Sequence, residues 1–166
     1  MPEPTLITPK LDGFDLVDAR QDLPNPYARV VRCDLQAGVR NGEAELSEVP
    51  TVLIELPGRD WTVHWFSSDW GDEFTPHQHR ADEPLQLRVS TGRSSKGLHT
   101  WACLEHDDGS AVVVSPAWSG NWRIDLEPTA DGVRVLAGIS TWEFRRTLRP
   151  GRPFVAPSVY VAWAAT

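Results

Sequence analysis

Between Phe66 and Pro76 the chain places Asp69, Asp72 and Glu73 around one indole, Trp70, and one glycine, Gly71, with Phe66 and Phe74 on either side. Two carboxyl groups about 5–5.5 Å apart could serve a retaining glycosidase, and about 6.5–9.5 Å an inverting one. Neighbours three and four apart in a loop can reach either distance. The plainer reading has these carboxylates capping backbone N–H groups or pairing with Arg80, Arg88 or Arg93. Trp70 stands out because it lies among carboxylates beside a glycine, where burying an indole is hard to arrange. An exposed indole is a flat surface for the apolar face of a sugar ring, with one N–H donor. Trp118 and Trp122, in Trp118-Ser119-Gly120-Asn121-Trp122, could be further platforms, with Asp69 or Asn121 as hydrogen-bonding neighbours, or could fill a core.

His77-Gln78-His79 offers other chemistry, because histidines at i and i+2 point to one face of a strand and can chelate a metal. With Gly71 before them and Glu83 after, they resemble the first motif of the cupins, small metal-binding β-barrels. The closing glycine, Gly92, falls two residues late, and the second cupin motif is missing. Gly97 and His99 lack its spacing and its proline. The sequence has no Gly-x-Ser-x-Gly elbow for a serine hydrolase. Gly92-Arg93-Ser94-Ser95-Lys96-Gly97 lacks the Lys-Ser/Thr that closes a phosphate loop.

The bulk properties narrow the field. The chain has 166 residues, a formal net charge of −7 and a pI near 5.1, so nucleic acid and anionic membranes are poor partners. No run approaches the length of a membrane-spanning helix. Met1-Pro2-Glu3-Pro4-Thr5 lacks the basic start and apolar run of a signal peptide, which makes the cytoplasm the expected location. Cys33 and Cys103 sit in apolar, strand-like surroundings without metal-ligand spacing and read as buried thiols. Nothing calls for a cofactor or a metal. Eight tryptophans against two tyrosines are the compositional oddity.

These residues must be positioned by strands. Residues 1–26, with Pro2, Pro4, Pro9, Pro24 and Pro26, read as an irregular leader packed on a sandwich, with at most one short strand near Phe14–Val17. Residues 27–166 read as the sandwich itself. Its strands are Ala28–Leu35, Val49–Leu56, Trp61–Phe66, Leu85–Val89, Trp101–Glu105, Ala111–Val114, Trp122–Leu126, Val133–Ile139, Trp142–Leu148 and Val159–Trp163. About ten short strands at 8–12-residue spacing, with turn signals between, form an all-β pattern. The one short helical candidate, Gly42–Val49, is flanked by Gly and Pro. Pro76 and Pro84 bound the histidine segment like a surface loop. Ending at Thr166 on an apolar strand suggests a domain cut from a longer chain.

Taken together, the clusters resemble a known family. Ser68-Asp69-Trp70-Gly71-x-Glu73-Phe74-x-Pro76, Ser90-x-Gly92-Arg93-Ser94-Ser95-Lys96-Gly97 and Ala117-Trp118-Ser119-Gly120-Asn121-Trp122 occur in the order of the N-terminal domain of family 36 glycoside hydrolases, the bacterial α-galactosidases or melibiases. Trp101-x-x-Leu104-Glu105 with Asp108-Gly109, Gly138-Ile139, Trp142-Glu143-Phe144 and Leu148-x-Pro150-Gly151-x-x-Phe154-x-x-Pro157 continue the resemblance. His99-Thr100 stand where the family usually has Asn-Pro, and the region before Pro57 matches poorly. The resemblance implies a β-supersandwich of two antiparallel sheets, of the galactose mutarotase fold class, that packs on a (β/α)₈ catalytic barrel. The barrel carries the catalytic carboxylates, and the N-terminal domain lends a tryptophan loop to the galactose subsite. Ser68-Asp69-Trp70-Gly71 matches that loop, which makes Trp70 and Asp69 the carbohydrate-binding candidates and α-galactosides, through the full-length enzyme, the implied ligands. With no barrel after Thr166, the chain alone holds no catalytic residue and is expected to be inactive. A homo-oligomer stays open. The rivals are a cupin-like metal protein using His77, His79 and Glu83, and a mutarotase-like sugar epimerase, which needs a buried histidine facing a carboxylate.

Overall fold

Apolar residues recurring at every second position can bury one face of a strand and leave the other to water. In the computed structural model, which describes residues 3–164, this pattern becomes sixteen strands. They are β1 (Thr5–Ile7), β2 (Asp15–Leu23), β3 (Arg29–Gly38), β4 (Ala44–Leu46), β5 (Pro50–Pro57), β6 (Trp61–Asp69), β7 (Asp72–Arg80) and β8 (Leu85–Arg88). Then follow β9 (Gly97–Leu98), β10 (Ala102–His106), β11 (Ala111–Pro116), β12 (Trp122–Pro128), β13 (Gly132–Ile139), β14 (Arg146–Leu148), β15 (Phe154–Val155) and β16 (Val159–Ala164). No helix occurs among the described residues, and so none long and apolar enough to cross a membrane.

A nine-stranded sheet runs β15-β3-β16-β11-β10-β6-β7, with β2 also on β3 and β9 on β6. A five-stranded sheet runs β1-β5-β13-β12-β8, and β4 and β14 form a small third one. The two large sheets are antiparallel throughout and pack face to face, giving the all-β sandwich that the strand pattern implied. Val63, Leu104 and Val161 from the large sheet meet Ile54, Ile124 and Val135 from the smaller in one core cluster. A second cluster, with Leu35, Leu46, Val49, Phe144 and Leu148, lies where β4 and β14 join the sandwich. The β5–β13 ladder needs glycine at two close approaches: a Cβ on Gly132 would lie 1.9 Å from the Leu56 carbonyl oxygen, and one on Gly138 would lie 2.7 Å from the Thr51 nitrogen.

Several elements differ from the sequence expectation. Residues 5–7, expected in an irregular leader, are a strand, and the short strand expected near Phe14–Val17 runs instead over residues 15–23; residues 1–2 of that leader lie outside the described residues. In β2 every side chain except Leu16 and Leu23 is exposed, so backbone pairing to β3 forms the strand with almost no apolar alternation to announce it. The histidine segment is strand β7, not a loop. Pro76 fits because β7 is the edge of its sheet, where a missing N–H breaks no ladder. The helical candidate near Gly42–Val49 contains β4, and the expected strand Trp142–Leu148 shortens to β14, since Trp142 and Glu143 form a turn.

Candidate functional site

Strands β6 and β7 form a hairpin whose tip is Trp70-Gly71, with Asp69 opposite Asp72. Gly71 takes a φ of +80°, which glycine adopts without steric cost. The carboxylates around the tip do local work. Asp69 Oδ1 accepts the Trp70 N–H at 2.7 Å, and Asp72 Oδ1 accepts the Thr75 hydroxyl at 2.8 Å. Trp70 itself is 98% exposed, so it belongs to no core. It stands at the tip with both indole faces open to solvent.

The hairpin beneath it is braced by rings. Phe66 meets Phe74, His99 and Trp101 edge-on at 5.4–6.3 Å between centroids, and Phe74 lies 4.9 Å from His99. Ser68 Oγ is 2.7 Å from His99 Nε2 and accepts the Phe74 N–H at 3.2 Å. Phe74 has a φ of +58°, an uncommon conformation for a bulky residue, and these contacts hold it there.

The two other sequence clusters are tied to this end of the sandwich. Gly97 pairs with Ser68, Asn121 Oδ1 accepts the Gly92 N–H at 2.7 Å, and the Trp122 indole N–H donates to the Ser94 carbonyl at 2.6 Å. Trp122 is fully buried and is a core residue rather than a platform. Trp118 is 39% exposed and lies against Gly120, where a Cβ would approach its Nε1 to 2.6 Å. Trp142, not singled out from the sequence as a surface residue, is 57% exposed in the neighbouring loop, which joins this one through Ser140 N–H to Asn121 O at 2.9 Å. Its turn contains neither Gly nor Pro; Glu143 takes the positive φ, +51°, so no turn signal announced it.

The metal reading does not gather its residues. No group of three or more His, Cys, Asp or Glu among the described residues is placed to hold a metal ion. His77 instead stacks on Trp65 at 5.3 Å and is 2.6 Å from Ser67 Oγ, while His79 Nε2 is buried without a hydrogen-bond partner. The epimerase reading asks for a buried histidine against a carboxylate. The nearest arrangement is His64 Nε2, 3.2 Å from Glu105 Oε2, in a groove of ≈ 880 Å³ on the outer face of the large sheet. His64 is half-buried, with Nε2 itself buried and without a hydrogen-bond partner, but Glu105 is 57% exposed, so the histidine faces no buried carboxylate.

The sequence also matches the model of the glycosyl hydrolase family 36 N-terminal domain over residues 32–149. The chain belongs to this family. Its fold is that of solved family 36 structures. The α-galactosidase AgaA of Geobacillus stearothermophilus matches with a TM-score of 0.78 at 17% identity, over 99% of this chain and 27% of that one. The galactosidase domain of an α-galactosidase–sucrose kinase, AgaSK, matches with a TM-score of 0.77 at 14% identity, over 98% and 27% of the two chains. The α-galactosidase from Lactobacillus brevis gives 0.74 at 16%, over 98% and 26%. No curated protein matches the sequence. The chain thus spans about a quarter of the length of these structures, at their common sandwich domain.

Proposed function

We propose that this family 36 N-terminal domain works beside a (β/α)₈ catalytic barrel of an α-galactosidase and lends it the Trp70 hairpin as one wall of the galactose subsite. The observation that carries the reading is a 98% exposed indole on a hairpin whose base is fixed by a ring cluster. These ring contacts support the platform from below, which lowers the ordering cost of binding. Asp69 adds a short acceptor beside the ring, since one of its oxygens holds the Trp70 N–H and the other is left for a sugar hydroxyl. Variants of the Geobacillus enzyme are known in complex with raffinose and with stachyose, which supports α-galactosides as the ligand class.

The chain by itself supplies no acid/base pair in this reading: Asp69 and Asp72 are engaged in the turn, and the catalytic carboxylates belong to the barrel. Two free thiols, Cys33 and Cys103, support a reducing compartment such as the cytoplasm. Self-association of the domain also belongs to this reading.

Saturation-transfer NMR of the 166-residue chain with raffinose tests the platform. Transfer to galactose ring protons that vanishes in Trp70→Ala and persists in Trp118→Ala is the expected result. Equal transfer in Trp70→Ala would remove Trp70 from the site. Turnover of a chromogenic α-galactoside by the purified chain would contradict the non-catalytic reading.

A further inference from the structure

The open edge of β2 has a charge pattern that matches itself. β2 lies on β3, whose other edge is taken by β16 and β15, and no strand among the described residues pairs with the far edge of β2. Along nine residues this edge offers the N–H and C=O of every second residue to another strand. Its charges fall into two sets. Asp15 and Asp22 are already held, Asp15 by Arg40 at 2.9 Å and Asp22 by Arg29 at 3.1 Å. Asp18 and Arg20 remain at the centre, 3.6 Å apart on one face and 40% and 35% exposed.

We infer that β2 pairs antiparallel with β2 of a second copy of this chain, about a two-fold axis at Ala19, and extends the large sheet across the dimer. Ala19 is the midpoint of β2, so this register uses every residue of the strand. It sets each Asp18 opposite the other copy's Arg20, twice, on the same face. Val17 then faces Gln21, Leu16 faces Asp22, and no like charges meet. Centring the pair on Asp18 or on Arg20 would oppose two carboxylates or two guanidinium groups. Centring it on Gln21 uses only the last part of the strand and asks Asp22 to leave Arg29. A two-fold axis needs one self-complementary patch, and this strand is one. Cross-strand opposite charges stabilise such a pair and like charges weaken it. The same two charges therefore set the register of the pair. The inference is independent of the sugar reading, which concerns the hairpin at the other edge of the large sheet.

A strand pair is a small interface, so the dimer is weak and salt-sensitive. Sedimentation of the 166-residue chain at low salt over a concentration series should show mass rising toward twice the 18.5 kDa of one chain. Asp18→Arg and Arg20→Asp should each weaken association by about tenfold or more, because each places like charges face to face. The double swap D18R/R20D should restore it, as should mixing the two single variants, which then form only the mixed dimer. Ala19→Cys should give a disulfide-linked dimer on oxidation, since opposed Cα atoms lie in the range a disulfide spans, and Val17→Cys should not. A chain that stays monomeric up to about 1 mM overturns the inference. So does a dimer indifferent to the charge swaps, or cross-linking no better through Ala19→Cys than through Val17→Cys.

Discussion

Eight tryptophans are a compositional fact that does not say which of them fill the core. In the fold Trp61 and Trp122 are buried and Trp70 is 98% exposed. The expectation that Trp70 is out of place in a core was legible, because carboxylates and a glycine surround it. The burial of Trp122 was not, since Gly120-Asn121 before it looks equally suited to a surface turn. Its position depends on Ser94, twenty-eight residues away, which accepts the indole N–H. Trp122→Ala should therefore cost about 3–5 kcal/mol in urea unfolding. Trp70→Ala should leave stability within about 0.5 kcal/mol. At Cys33, burial pushes the thiol from 9.0 up to about 11, more than Arg20 nearby lowers it. The folded state thus favours the neutral thiol. The stability this gives is complete below pH 9 and is lost as pH rises toward about 11. Alkylation of Cys33 at pH 8 should accordingly be slow in the native chain and should accelerate on adding denaturant, measured by mass spectrometry. Fast native labelling would contradict its burial.

At the scale of elements, strands that bury one face were readable from the sequence and strands that do not were missed. Most boundaries of β5, β6, β12, β13 and β16 follow the alternation of apolar residues. β2 was readable only at its start, near Val17, because seven of its nine side chains are exposed and its apolar residues keep no period. β7 escaped because Pro76 reads as a strand breaker, and only its place at the edge of the sheet makes it tolerable. The hairpin tip was legible as a turn, yet its direction was not: rings from three separate segments fix it. Gly71→Val tests whether the tip conformation matters. A β-branched residue at φ +80° should cost about 1–2 kcal/mol and lower the melting temperature by a few degrees. Gly132→Ala is a harsher change, because the added Cβ collides with the Leu56 carbonyl at the end of the β5–β13 ladder. It should cost about 3 kcal/mol, seen as an earlier urea midpoint.

For the molecule as a whole, the question is whether two core clusters mean two stability units. The larger cluster lies between the main sheets, and the smaller lies where β4 and β14 join them. They are not independent. β3 supplies Val31 and Cys33 to the first and Leu35 and Ala37 to the second, and β13 supplies Val135 and Ala137 to the first and Ile139 to the second. Loss of the small cluster would leave the ends of both strands without cover, so separation would expose apolar surface that stays buried in concerted unfolding. The β14–β4 ladder has three residue pairs and Phe144 packs on Phe154 at 5.3 Å, too little to hold a unit by itself. Unfolding should thus be a single transition. Far-UV circular dichroism, which reports all the sheets, and tryptophan fluorescence, dominated by the buried indoles of the large cluster, should give superimposable urea curves. Leu148→Ala, in the small cluster, should move both curves together. If the fluorescence midpoint stayed fixed while the dichroism curve acquired an earlier phase, the small cluster would be a separable unit, and the β4–β14 region could open while the Trp70 hairpin kept its place.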